Sequence, residues 1–321
     1  MHINTTIKSF VHWLRLNKKV LLTVFAVVVL ILIGLVVFAT FKVVKYSPRS
    51  SHKSSVAATS NPEPSAANQA TGSAYSSQGS TRWLIAASAV GFINQAEGNS
   101  SFTNSVFNQS YDYEISSPNT SDSLVLSQAV KVLSYKSYAQ FAANINQHTV
   151  PSGYKLLMYD NEDWPYTPLD EQHNPLLYYQ KFGQLAHQSG YQVLATPAAD
   201  LTKVLMPKTD NYSGYLALGL AKTAQYADVF NIQAQNSPTA QAYISFVQSA
   251  IAQIKSVNPN ATILAGLTVR ANGPSLTTLE SEYNGTKNMV SGYWLNVISH
   301  SASDNNTVGS MAHAFLVAVN Y

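Results

Sequence analysis

The chain has 321 residues, no cysteine, 46% hydrophobic residues and 11% charged residues. A typical soluble domain carries about 25% charged residues, so solubility here rests on Asn, Gln, Ser, Thr and Tyr, and the lack of cysteine excludes a disulfide scaffold, a zinc ribbon, a cysteine nucleophile and an iron–sulfur centre. The formal charge of +3 is divided by position: residues 1–81 carry eight Lys/Arg and one acid, Glu63, whereas residues 82–321 carry eleven bases and fifteen acids, an arrangement that argues against nucleic acid as a partner because phosphate binding needs clustered positive charge.

Residues 1–19 form a short tail, expected to be cytoplasmic. From Val20 to Phe41 run 22 residues without a charge, enough at ~1.5 Å per residue to cross a hydrocarbon core of roughly 30 Å. The alternative is the apolar part of a cleaved signal, but such a region is usually about 7–15 residues long and ends at a small-x-small site, whereas this one ends Val-Phe-Ala-Thr-Phe-Lys. An uncleaved signal-anchor is therefore expected. Four cations precede the span and four follow it, so charge asymmetry does not orient it. A tiny tail and a large C-terminal part fit a single-pass bacterial membrane protein whose domain is extracytoplasmic. Residues 42–81 are dominated by Ser, Ala, Pro, Gln and Gly with no apolar periodicity, which reads as a disordered tether.

Residues 82–321, 240 residues in all, match the size of a (β/α)8 barrel, about 250 residues. Runs rich in β-formers recur at Trp83–Val90, Lys155–Tyr159, Tyr191–Thr196, Asp228–Ile232, Thr262–Leu267 and Tyr293–Ile298. Helical stretches lie between them at Pro175–Ser189 and Thr239–Ser256, the second with an apolar stripe at Ala240, Tyr243, Ile244, Val247, Ile251 and Ile254. Alternating strands and helices predict a parallel sheet. A doubly wound sheet is the alternative, but no Gly-rich nucleotide turn follows any strand. Residues 91–130 show poor periodicity, so the first third of the barrel is open to irregularity.

In such barrels chemistry sits on the loops after the carboxyl ends of strands. The polar candidates there are Asp160 and Glu162, Asp200, Gln233 and Gln235, Arg270, and Trp294 with Asn296. Side chains of a strand repeat every two residues, so Asp160 and Glu162 share one face, about 7 Å apart along the chain. Glu162 is the candidate general acid, its proton affinity raised by Asp160 and Trp164, and Asp160 its electrostatic partner; the alternatives are a surface acid and a loop residue bonding to backbone. Asp200 is a possible second carboxylate or a helix N-cap. Trp164 and Trp294 are candidate stacking floors for sugar rings, against ordinary core packing. Glu171 and Gln172 read as caps of the helix beginning at Pro175. Arg270 could hold an anionic group or half of an ion pair. No histidine pair has metal-ligand spacing and no G-x-S-x-G elbow occurs, so neither a metal, a cofactor nor a serine nucleophile is expected.

The stretch YDNEDWPYTPLDEQHNP, followed by LATPAADL, FNIQAQ, ILAGLTV and SGYWLNV, resembles a family of bacterial secreted barrel proteins that carry YDxExWxxTPxxEQxxP on one strand end and GYWLN on the last. The resemblance covers residues 150–321 and implies a barrel with a site at that strand end, but no reaction. Asp160-Asn161-Glu162 is also similar to the D-x-E strand end of chitinase-like and muramidase-like glycoside hydrolases. That resemblance implies a general-acid Glu and an Asp that stabilises an intermediate formed with the sugar's own acetamido group. The chitinase-like pattern is D-x-x-D-x-D-x-E, and Met158 and Lys155 stand where its other two acids belong. The expectation is a glycoside hydrolase acting on a polysaccharide or cell-wall glycan; the alternative is a barrel that only binds glycan or scaffolds.

Overall fold

The structure, a computed structural model, describes residues 81–118 and 124–321. The tail, the apolar span and nearly all of the tether lie outside the described residues. Among the described residues no helix is long and apolar enough to cross a membrane.

Eight parallel strands close into a barrel in sequence order: β1 (Arg82–Ala86), β2 (Tyr113–Ser116), β3 (Val130–Tyr135), β4 (Leu156–Tyr159), β5 (Gln192–Ala195), β6 (Val229–Ile232), β7 (Thr262–Arg270) and β8 (Gly292–Ile298). The seam joins β8 to β1, with Trp83 beside Tyr293 and Leu84 beside Trp294. At its foot Gly292 stands opposite Arg82. A Cβ on Gly292 would overlap the Arg82 carbonyl, so only glycine lets the two strands approach there.

Alternation sorts each strand's side chains between two cores. Leu84, Tyr113, Ile115, Val132, Leu156, Met158, Leu194, Val229, Leu264 and Trp294 fill the barrel interior. The opposite faces, such as Trp83, Leu157, Tyr159, Phe230 and Tyr293, pack beneath the surrounding helices. Strands buried on both sides read as continuous apolar runs, which is why β4 to β8 are visible in the sequence.

The helices that matter below are α1 (Ala87–Glu97), α2 (Ser101–Phe107), α3 (Tyr138–Asn146), α4 (Leu169–His173), α5 (Pro175–Gln188), α6 (Leu201–Leu205), α7 (Asn211–Leu218), α8 (Ala240–Val257), α9 (Leu276–Thr286) and α10 (Asn305–Ala318). α8 begins where Thr239 accepts from the Ala242 amide, a side-chain cap. The expected strand Trp83–Val90 is corrected: β1 stops at Ala86 and α1 follows at once. The Ala-rich run after Ile85 is apolar in either state, so apolarity alone cannot find that boundary.

The first third departs from strict alternation. Between β2 and β3 no helix occurs among the described residues. The returning chain is instead tied to the side chain of Glu114, which accepts from the Val125 amide at 2.8 Å and the Leu126 amide at 3.0 Å. Asp112 likewise accepts from the Trp83 amide at 2.8 Å, linking the start of β2 to β1. Glu114 thus ties down the connection between β2 and β3, and Asp112 fastens β2 to β1.

Candidate active site

The inward alternation of β4 continues one step past the strand. Leu156 and Met158 point into the barrel, and the Asp160 amide still bonds to the Tyr135 carbonyl at 2.9 Å. Asp160 is therefore delivered to the top of the interior, 6% exposed. Glu162, half-buried, lines a cavity of about 660 Å³ between the loops after β5 and β6, α7 and the start of α8. Gln233, just beyond β6, joins the two acids. Its Nε2 donates to Asp160 Oδ1 at 3.0 Å, to Glu162 Oε1 at 3.2 Å and to the Thr196 carbonyl at 3.1 Å. Two N–H bonds serving three acceptors must be shared between them.

The electrostatics of the pair are unequal. Burial holds Asp160 well above the usual carboxylate range; the charge and hydrogen bond of Glu162 add to this, and Lys136 opposes it. Glu162 is raised by burial and by the charge of Asp200, and lowered by its hydrogen bonds to Gln233 and Asp160. Of the two, Asp160 is thus the acid whose charge the site opposes more strongly. The sequence assigned the rise at Glu162 to Asp160 and Trp164; in the structure burial and Asp200 cause it, and the bond to Asp160 works the other way.

The loop carrying these acids is anchored from behind. Glu171 on α4 is 1% exposed, and its carboxylate accepts from the Tyr138 amide at 2.7 Å, the Ala139 amide at 3.2 Å, Ser137 Oγ at 3.1 Å and Tyr159 Oη at 2.7 Å. Gln172 Nε2 donates to the Trp164 and Thr167 carbonyls at 2.9 and 2.8 Å. Asn161 Nδ2 donates to the Glu171 carbonyl at 2.9 Å. The reading of Glu171 and Gln172 as caps of α5 is corrected. Glu171 caps the start of α3, brought near only by the fold, and Gln172 ties down the loop before its own helix.

The other residues singled out from the sequence distribute around this core. Asp200 lines the same cavity as Glu162 and accepts from the Asp163 amide at 3.2 Å; it stands at the N-cap position of α6 without bonding to that helix's amides. Gln235 also lines the cavity and lies across Gly266 of β7. A Cβ on Gly266 would meet its amide at 2.6 and 2.7 Å, so the missing side chain makes room for it. Trp164 is half-buried, its Nε1 donating to Thr167 Oγ1 at 2.7 Å and one ring contact taken by Lys136. Trp294 sits in the interior core, 9% exposed. Asn296 and Arg270, both half-buried, continue the inward faces of β8 and β7. Among the described residues, Trp294 Nε1, Thr268 Oγ1 and Arg270 Nε are buried without a hydrogen-bond partner. Arg270 is in no ion pair there either.

Sequence reasoning missed Lys136 and Thr196. Thr196 was inside a recognised strand end and could have been found by extending the alternation from Leu194. Lys136 required β3, which the sequence did not reveal. Among the described residues no group of three His, Asp or Glu is placed to hold a metal ion.

No protein-family model matches the chain, and no curated protein matches it. Solved structures that resemble it include a GH18 chitinase from Pseudoalteromonas aurantia, at 12% identity and TM-score 0.45 over 73% of this chain and 100% of that one. The spore cortex-lytic enzyme SleL of Bacillus megaterium QM B1551 resembles it at 10% identity and TM-score 0.40, over 72% and 73%. Phosphoribosyl anthranilate isomerase from Thermococcus kodakaraensis resembles it at 10% identity and TM-score 0.38, over 75% and 99%. One barrel hosts many chemistries, so the function has to be read from the site itself.

Proposed function

We propose that this chain is a glycoside hydrolase of a bacterial cell surface, tethered by the apolar span at residues 20–41 with its barrel outside the membrane, and acting on a polysaccharide or cell-wall glycan. The observation that carries this reading is the bridged carboxyl pair. The Gln233 amide joins Asp160 to Glu162, and of the two acids Glu162 lines the cavity. A general acid needs a proton kept toward neutral pH and an open path to the substrate.

In this reading the proton passes from Asp160 to Glu162 along their hydrogen bond. Glu162 then gives it to the glycosidic oxygen as the C–O bond breaks and its electron pair leaves with that oxygen. The carboxylate left on Asp160 faces the positive charge that develops at the sugar, where a charge in a confined site acts strongly; water then forms the new C–O bond at that carbon, and the proton it loses returns to the acid pair. The resemblance of the β4 segment to D-x-E hydrolases fits this division of labour. Gln233 keeps the two acids in register, and Asp200, Gln235, Trp164, Asn296 and Arg270 are the residues proposed to contact sugar, Trp294 being packed into the interior core.

A second reading, a barrel that binds glycan or scaffolds without turnover, is favoured by Met158. It fills the interior with Leu156 and Trp294, where the D-x-x-D-x-D-x-E pattern has an acid.

The two separate on one experiment. The full-length chain is screened against N-acetylated and neutral glycans, with Glu162→Gln as control. Hydrolysis is expected, and Glu162→Gln should reduce it by roughly 10²–10⁴ while leaving the melting temperature and glycan affinity nearly unchanged. Absence of turnover on every glycan would establish the binding reading instead. For the topology, protease added to intact cells should release the barrel domain of residues 82–321; protection until lysis would place it inside.

A further inference from the structure

Lys136 is the residue that follows β3. Ser134 pairs with Met158 and Tyr135 with Tyr159 across the β3–β4 ladder, and the Asp160 amide extends that ladder to the Tyr135 carbonyl. One step further, Lys136 stands beside Asp160, on strands about 4.8 Å apart. The alternation that turns Ser134 and Met158 inward also turns Lys136 and Asp160 inward.

A lysine beside a buried aspartate would ordinarily close an ion pair. Here it does not: among the described residues the ion pairs within 4 Å join His187 to Asp228 and His313 to Glu97. The ammonium rests instead against two rings that meet edge to face, 4.7 Å from the Trp164 centroid and 4.6 Å from that of Tyr166, within the range of cation–π attraction. The Trp164 ring is fixed to the lysine's own backbone. Thr167 Oγ1 donates to the Lys136 carbonyl at 2.7 Å and accepts from Trp164 Nε1 at 2.7 Å. Both rings belong to the loop that carries Glu162, so the segment that presents this acid also holds the cation.

We propose that Lys136, resting on Trp164 and Tyr166, is a positioning residue for the Asp160–Glu162 pair, a fixed positive charge set beside the two acids without closing an ion pair with either. This rests on the reading of Glu162 as the proton donor. The charged and titratable groups facing the pair define the balance. Asp200 approaches from the β5 loop, with Asp163 and Lys203 beyond it; Tyr179 of α5 lies behind; Gln233 of β6 is neutral. Burial and Asp200 together favour full protonation, which would silence Asp160 as a charge. A direct ion pair would strip the proton that the acid needs. A cation held at one remove does neither, and Lys136 is the cation that acts on both acids.

The test follows the protons without substrate. The full-length chain is prepared with ¹³C-carboxyl aspartate and glutamate, the pair being assigned through Asp160→Asn and Glu162→Gln, and titrated by NMR. Lys136→Met should move the pair's midpoint upward by about one pH unit, and Lys136→Arg, which keeps charge and ring contact, should leave it in place. Tyr166→Ala removes a ring that is 65% exposed, so folding is spared, and should give a smaller upward shift even if Lys136→Met does not fold. An unmoved midpoint in Lys136→Met and Tyr166→Ala, or an equal shift in Lys136→Arg, overturns the proposal. Glycan turnover with an unmoved midpoint defeats Lys136 alone; a moved midpoint with no turnover on any glycan supports Lys136 and counts against hydrolysis.

Discussion

Asp160 and Glu171 lie on one strand–loop–helix segment, and both carboxyls are buried, yet the fold treats them in opposite ways. Behind the barrel wall, Glu171 is met by four donors, two amides and two hydroxyls. A carboxyl so furnished is a strut: the four donors replace what water would have supplied, and it joins α3, β4 and α4. At the barrel mouth, Asp160 receives part of one amide from Gln233 and faces a second acid. That arrangement is costly for an ionised group and serves no evident structural end. In this segment the well-supplied carboxyl holds the fold, and the under-supplied one stands at the mouth beside the cavity acid.

The comparison can be broken at Glu171 first. Glu171→Gln presents an NH2 group to donors that need an acceptor, so it should destabilise the domain by about 3 kcal/mol. In a domain of this size that is a fall of roughly 6–12 °C in melting temperature. A loss of only a degree or two would show that the four contacts are not a strut.

Asp160→Asn should act in the opposite direction. Because the folded Asp160 holds its proton above the ordinary range, the unfolded chain ionises first. The native state therefore loses stability as pH rises from the ordinary aspartate range to the folded value, and the penalty is constant above it. Asn carries no such penalty. Thermal melts should coincide at low pH, with Asp160→Asn a few degrees higher at neutral pH while turnover is lost. A lower melting temperature at neutral pH would make Asp160 a second strut.

Glu282 on α9 sharpens the contrast with the smallest effect. It is 3% exposed, and burial alone raises its carboxyl to about 7 from 4.5, with no side-chain donor for it among the described residues. Stability that it supports below the lower value is lost as pH rises to the higher one. Glu282→Gln should thus leave the melt unchanged at pH 4 and stabilise by about 1–2 kcal/mol above pH 7, discounted for partial solvent screening. A pH-independent difference would show that an unseen donor already satisfies it.

Legibility followed local chemistry. β4 to β8 were readable because strands buried on both faces are continuous runs of Val, Ile, Leu and aromatics. β2 and β3 were not, because β2 is four residues long with Glu114 at its centre, and β3 carries Lys131 among its apolar residues. The function of Glu114 depends on a loop that returns to it, which no periodicity reports. Asp200 and Gln235 were chosen by their place after strands, and the structure brings both to the cavity wall with Glu162. Trp294, equally visible in the sequence, went into the interior core.

What the sequence by itself determined is the placement of Asp160 and Glu162 on one face, since strand alternation is a property of the backbone and needs no partner. It also determined the division of charge between a basic N-terminal segment and an acidic domain. Which acid is buried, which one opens to the cavity, and which groups surround them were decided by tertiary structure. Those outcomes depend on Gln233 arriving from β6, Asp200 from the β5 loop and Lys136 from β3. Desolvation and Coulomb energy act through space, so a carboxyl's state is set by the strands packed beside it.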